Sequence, residues 1–195
     1  THPAWRSLIL DQRIAPLEAR GFNGLFLDTL DSYHLTQDLE NQKVALASLI
    51  GEIQTRSPNL KLLLNRGFEV LAMLPAKVEG VVAESLVKSF NPSTDKYQDV
   101  NAADREWLLA RFEEARVFAA ELITIDYLPA LDQIAEETAR KILELGITPW
   151  VTDPSLRNLG VSKLVPVPRR IMAVHNDTGK KLAERDVHTL FGASL

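Results

Sequence analysis

The sequence predicts an α/β fold built on parallel strands, and three observations carry that prediction. Short apolar runs recur along the chain, each ending in a polar or charged residue. Between them lie segments whose apolar residues repeat at helical spacing. The connections are long enough to hold a helix, as parallel neighbours joined by right-handed crossovers require.

The elements follow in order. Gly24-Leu25-Phe26-Leu27 is apolar throughout and closes on Asp28, which reads as a strand buried on both faces with a carboxylate at its C-terminal end. Leu35, Leu39, Leu46, Leu49, Ile50 and Ile53 then mark one face of a helix that stops before Pro58. A second strand, Leu60 to Leu64, runs into Asn65-Arg66-Gly67, and a third, Gly80 to Ala83, into Glu84-Ser85. The turn formers between Phe90 and Asn101 suit a long loop over a binding face. Asn101 is placed to cap a helix that buries Trp107, Leu108, Phe112 and Ala115. A fourth strand, Leu122 to Ile125, ends in Asp126-Tyr127. Leu131, Ile134, Ala135, Ile142 and Leu145 form the next helix face, closed by Gly146, and Ile147 to Asp153 is the fifth strand.

A doubly wound sheet and a barrel both satisfy five such units. The GxGxxG and GxxxxGK[ST] signatures of nucleotide-binding folds are absent, which favours the barrel. At 195 residues, 46% hydrophobic and 25% charged, the chain can bury the core of one domain. A formal charge of −4 with no run of Lys or Arg supplies no footprint for nucleic acid. No apolar stretch approaches the roughly 20 residues of a membrane span. The chain has no cysteine, which excludes disulfides, thiolate metal sites and a cysteine nucleophile. It opens on Thr1-His2-Pro3, so any targeting signal is expected to have been removed or to lie upstream.

In barrels the C-terminal ends of the strands converge on one face, where chemistry is done. Here those ends read Asp28, Asn65-Arg66, Glu84, Asp126-Tyr127 and Asp153. Glycosidic cleavage uses two carboxyl groups flanking the scissile oxygen, and Asp28 and Glu84, on different strands, can supply them. Arg66 is the candidate for holding one of them ionised. Simpler roles stand beside these: Asp28 and Asp31 suit turns and caps, Glu84 suits a structural pairing with Arg66, Tyr127 can pack, and Trp150 suits either a sugar platform or the core. The histidines His2, His34, His175 and His188 are scattered, with no HExxH, so no metal site is expected. Neither Ser32 nor Ser85 has a GxSxG context.

The stretch from Gly21 to Tyr33, GFNGLFLDTLDSY, resembles the strand-four segment of glycoside hydrolase family 114, the endo-α-1,4-polygalactosaminidases. Asn65-Arg66-Gly67-Phe68, Ala83-Glu84-Ser85-Leu86 and Thr148 to Pro154 follow in the family's order, and the likeness is greatest to the hydrolase domains of exopolysaccharide-processing hydrolase/deacetylases. The resemblance implies the C-terminal portion of a (β/α)₈ barrel, incomplete here because the first three strands are missing. It also implies cleavage of an α-1,4-linked galactosamine or N-acetylgalactosamine exopolysaccharide in the bacterial periplasm or outside the cell, without a cofactor. By position it makes Asp28 and Glu84 the acid/base and nucleophile pair, in either order. Asp31, Tyr33, Asn65, Arg66, Asp126, Tyr127 and Trp150 are the expected sugar contacts. The family commonly has Asp where this chain has Asn23, a position that shapes the turn before the strand. Residues 1–165 are expected to form the partial barrel, and 166–195 a linker and the start of another domain. A second copy is a possible means of closing the incomplete barrel. The rival reading is a non-catalytic carbohydrate-binding or scaffold module.

Overall fold

The structure, a computed structural model, describes residues 2–35, 37–158 and 160–162. The expected boundary at 165/166 and the segment beyond it lie outside the described residues.

Five strands form one sheet in which every pairing is parallel: β1 (Gly24–Leu27), β2 (Lys61–Asn65), β3 (Val78–Glu84), β6 (Ala119–Tyr127) and β7 (Thr148–Thr152), side by side in chain order. This is the α/β architecture the alternating pattern predicts, with β1 and β7 at the edges. The helices α3 (Leu39–Arg56), α4 (Ala102–Ala115) and α5 (Ala135–Glu144) provide the crossovers. Asn101 caps α4 as expected, its side chain accepting from the Asp104 amide at 2.9 Å. Gly146, at a φ of +70°, closes α5.

Side chains alternate across a sheet, so register decides which residues share a face. Leu62 and Leu64 of β2, Val81 and Ala83 of β3, Leu122 of β6 and Val151 of β7 are buried in the core with Ile50 and Ile53 of α3, Phe112 of α4 and Ile142 of α5. Each such side chain contributes about 1.5–3 kcal/mol by leaving water. The opposite face carries Phe26, Leu63, Gly80, Val82, Ile123, Ile125 and Trp150, matched strand to strand. It is only partly covered: Phe26 is 53% exposed. Position 80 is tight: a β-carbon would lie 2.8 Å from Leu63 Cδ1 and 3.1 Å from the Glu121 carbonyl.

Several expectations change. The chain before β1, to which the sequence reading assigns no element, is helical: α1 (Pro3–Ile9) passes through a π-helical turn (Leu10–Ile14) into α2 (Ala15–Ala19). The segment read as a loop holds an antiparallel hairpin of β4 (Lys88–Asn91) and β5 (Lys96–Asp99). Its cross-strand pair Phe90 and Tyr97 has ring centroids 5.1 Å apart. Leu35 and Leu131, counted as helix faces, are 90% and 89% exposed, Leu35 at the end of a 3₁₀ helix (Ser32–Leu35) before α3 and Leu131 in the turn before α5. Trp107, expected in the core, is 50% exposed.

At the end of β7, Asp153 accepts from the Ser155 amide at 2.9 Å and from the Asn158 side chain at 2.6 Å, with the Ser155 hydroxyl as a third donor. Burial pushes its carboxyl up, but these hydrogen bonds outweigh that and hold it below the ordinary 3.8. A depressed native value contributes stability that is present above the unfolded value and lost as pH falls through the native one. Thermal unfolding followed from about pH 6 to about pH 2 should therefore show a steeper acid loss in the wild type than in Asp153→Ala.

Candidate active site

Three consecutive strands of the sheet end in the same way. Asp28 follows β1, Asn65 ends β2 and Glu84 ends β3, and by the alternation all three lie on the face opposite the helices. The next residue in each case takes a left-handed backbone: Thr29 at a φ of 58°, Arg66 at 57° and Ser85 at 65°. For a β-branched residue such as Thr29 this is a genuine outlier, and each costs about 1–3 kcal/mol unless its surroundings hold it. At Arg66 and Ser85 they do so, because the ladder continues through the bend. The Arg66 amide donates to the Val82 carbonyl at 2.7 Å, and the Ser85 amide to the Ile125 carbonyl at 2.8 Å. Strain of this kind clusters at functional sites.

Both carboxylates have fixed partners. Asn65 Nδ2 donates to Asp28 Oδ1 at 2.7 Å, and the Thr29 amide donates to the same oxygen at 2.8 Å. Tyr127, on the same face at the end of β6, donates its hydroxyl to Glu84 Oε2 at 2.7 Å. Burial first, and then the Glu84 carboxylate, push the Tyr127 phenol well above its ordinary value, so it stays protonated and remains a donor. Arg66 forms no ion pair with Asp28 or Glu84 among the described residues, contrary to the expectation that it holds one of them ionised. Its backbone turns left-handed as it leaves β2, and Arg66 and Glu84 instead both line a cleft of about 260 Å³.

Trp150 shares this face through its register with Ile125, and is half-buried against Gly160, where a β-carbon would meet the indole at 2.8 Å. Asp31 is half-buried in the turn after β1. Two of the expected sugar contacts are buried. Tyr33 is 4% exposed and gives its hydroxyl to Glu69 at 2.5 Å. Asp126 alternates with Tyr127 and so points the other way, into the core, where it is fully buried. It accepts from the Val87 and Lys88 amides, both at 2.6 Å, from Thr124 Oγ1 at 2.9 Å and from the Leu86 amide at 3.4 Å. Burial raises its carboxyl above the usual range against the pull of those donors. Asp126 thus ties the chain between Glu84 and the hairpin to β6. Asp126→Ala strands buried amides and is expected to cost about 3 kcal/mol, read as a lowered urea midpoint at unchanged slope.

Among the described residues no cluster of His, Cys, Asp and Glu is arranged to hold a metal ion, and no helix is long and apolar enough to cross a membrane. The arrangement offers two carboxyl groups from different strands, each oriented by a neutral donor, on a face with aromatic and amide neighbours. This is the equipment of acid/base and nucleophilic chemistry on an uncharged leaving group.

The comparisons bear on that arrangement. The model of glycoside-hydrolase family GH114 matches residues 1–170. The glycoside hydrolase domain of PelA from Pseudomonas aeruginosa is similar at 38% identity with a TM-score of 0.77, over 83% of this chain and 65% of that one. A Glu-to-Ala variant of the same domain is similar at 37% identity with a TM-score of 0.75, over the same shares of 83% and 65%. The chain therefore spans 65% of the length of these solved domains, whose fold is of the (β/α)₈ type. No curated protein matches it. With most of its length matched by the family model and its sheet matched in space, the chain belongs to glycoside-hydrolase family GH114.

Proposed function

We propose that this chain carries the catalytic face of a hydrolase that cleaves α-1,4-linked galactosamine- or N-acetylgalactosamine-containing exopolysaccharide by a two-carboxylate mechanism. One observation carries the reading: the register sets Asp28 and Glu84 on the same face, at the C-terminal ends of the two strands that flank β2, each with a donor from a neighbouring strand. Family membership supports glycoside hydrolysis, and the likeness of the segment from Gly21 to Tyr33 to the polygalactosaminidases supports the substrate.

One carboxyl protonates the departing glycosidic oxygen, while the other attacks the anomeric carbon or activates water against it; two such groups need neither metal nor organic cofactor. Asn65 and the Thr29 amide occupy Asp28 Oδ1 and leave Oδ2 without a hydrogen-bond partner among the described residues, available to substrate. Tyr127 occupies Glu84 Oε2 and leaves Oε1 likewise without a partner among the described residues. The substrate is a polysaccharide met in the periplasm or outside a bacterial cell, and residues 1–165 form the part that acts on it. The same reading has the edges of β1 and β7, and the face around Phe26, covered by further strands or by a second copy.

The test is product analysis. Partly N-acetylated α-1,4-polygalactosamine should be shortened to oligosaccharides with new reducing ends, while an α-1,4-glucan is left intact. A polymer that is bound but not shortened would instead make this a binding module.

A further inference from the structure

We propose that the cleft between the β4–β5 hairpin and α4 is a sugar subsite that continues the polymer path away from Glu84, with Trp107 as its stacking platform. The inference rests on the hydrolase reading and adds to it a residue and a direction.

Glu84 and Arg66 stand at the strand-end side of this cleft, Ser89 and Gln98 line it from the hairpin, and Asp104 and Trp107 line it from α4. Its volume of about 260 Å³ is open to solvent and reaches Glu84, one of the two carboxylates, at its strand-end side. In α4 the buried stripe is Leu108, Phe112 and Ala115, at steps of four and three. Trp107 lies on the neighbouring row with Arg111 and Glu114, a charged row beside the buried stripe in which Arg111 is half-buried and Glu114 exposed. An indole there, 50% exposed, contributes little to the core. It is nonetheless held in place: Phe68 meets Trp107 edge-on at 6.3 Å and 90°, and itself packs edge-on against the buried Phe112 at 5.8 Å and 86°. A large, rigid ring presented to a cleft by an anchored neighbour is how proteins hold the apolar face of a sugar.

The polar groups around it are arranged to match. The Trp107 indole N–H, the Gln98 amide and the Arg66 guanidinium have no hydrogen-bond partner among the described residues, and all three line the same cleft. Asp104 and Glu84 add negative charge, and Asp99 spends its own on Lys88 at 2.5 Å. The occupant that fits is a single pyranose ring of an amino-sugar chain. Its C–H face lies on Trp107, its hydroxyls meet Gln98 and Arg66, and its nitrogen is directed toward Asp104. An ammonium near an indole face adds a cation–π attraction, which a neutral glucan lacks.

The experiment uses α-1,4-linked galactosamine oligomers of increasing length as probes, titrated calorimetrically into the Glu84→Gln chain so that nothing is hydrolysed. Affinity should rise with length and gain a step when a ring reaches the cleft. Adding Trp107→Ala should remove that step, weakening the longer oligomers roughly tenfold and leaving the shortest unchanged. Trp107→Phe should keep most of the step, and Gln98→Ala, on the hairpin, should reduce it a few-fold. A half-exposed ring with one edge-on contact predicts only a small drop in thermal midpoint for Trp107→Ala, and a folding defect is read separately. Equal affinity of the Trp107→Ala and Trp107 chains at every length would overturn the subsite, as would oligomers that bind neither. Failure of the hydrolase reading looks different: the chain with Glu84 intact would leave the longer oligomers uncut while the Trp107-dependent step remained.

Discussion

Glu84→Gln should lower the rate of reducing-end release by about 10³-fold or more, with KM for the polymer changed by less than about threefold. The substitution is close to isosteric, and the new amide oxygen can still accept from Tyr127, which stays protonated because burial and its acceptor raise the phenol. What is removed is the ability to exchange a proton or carry a full negative charge. A loss confined to turnover therefore reports chemistry, whereas a loss of affinity would report binding. Initial rates and thermal midpoints on the same preparations separate both from misfolding.

Asp28→Asn should have an effect of the same order, because a two-carboxylate reaction fails when either partner is removed. The Asn65 hydrogen bond can be kept, since an asparagine oxygen accepts where Asp28 Oδ1 does now. The two variants then divide the roles between them. With a substrate bearing an activated aryl leaving group, the variant that has lost the acid should recover much of its rate, because the leaving group no longer needs protonation. The variant that has lost the nucleophile or base should not. A recovery by neither variant, or by both, would contradict a division of labour between Asp28 and Glu84.

The sheet was legible because its strands are short apolar runs that stop at polar residues, and parallel strands covered on both sides are apolar throughout. The positions of Asp28 and Glu84 followed from the same stops. Orientation was harder to read. Asp126 and Tyr127 sit side by side at one strand end and both looked like site residues, but alternation sends Asp126 behind the sheet, and only the register with β3 shows which is which. The hairpin was hidden by its composition: its four-residue strands, Lys88–Asn91 and Lys96–Asp99, are dominated by polar residues and have no buried position. Their one apolar signal is the pair Phe90 and Tyr97. The helix before β1 was missed because the π turn at Leu10–Ile14 shifts the spacing of its buried positions. Trp107 reads as core beside Leu108, Phe112 and Ala115, although its own helical row, with Arg111 and Glu114, is charged. The left-handed residues Thr29, Arg66 and Ser85 left no trace in sequence, since nothing about those types favours the conformation.

The central claim is that Asp28 and Glu84 act on one bond as one unit, and a double-variant cycle tests it most directly. Turnover of the polymer would be measured for the wild-type chain, Asp28→Asn, Glu84→Gln and the chain carrying both. Groups that work in a single constellation are non-additive, so the double variant should be about as slow as the slower single one. Rate losses that multiply, or a single variant with wild-type turnover, would show that the two carboxylates do not share a reaction.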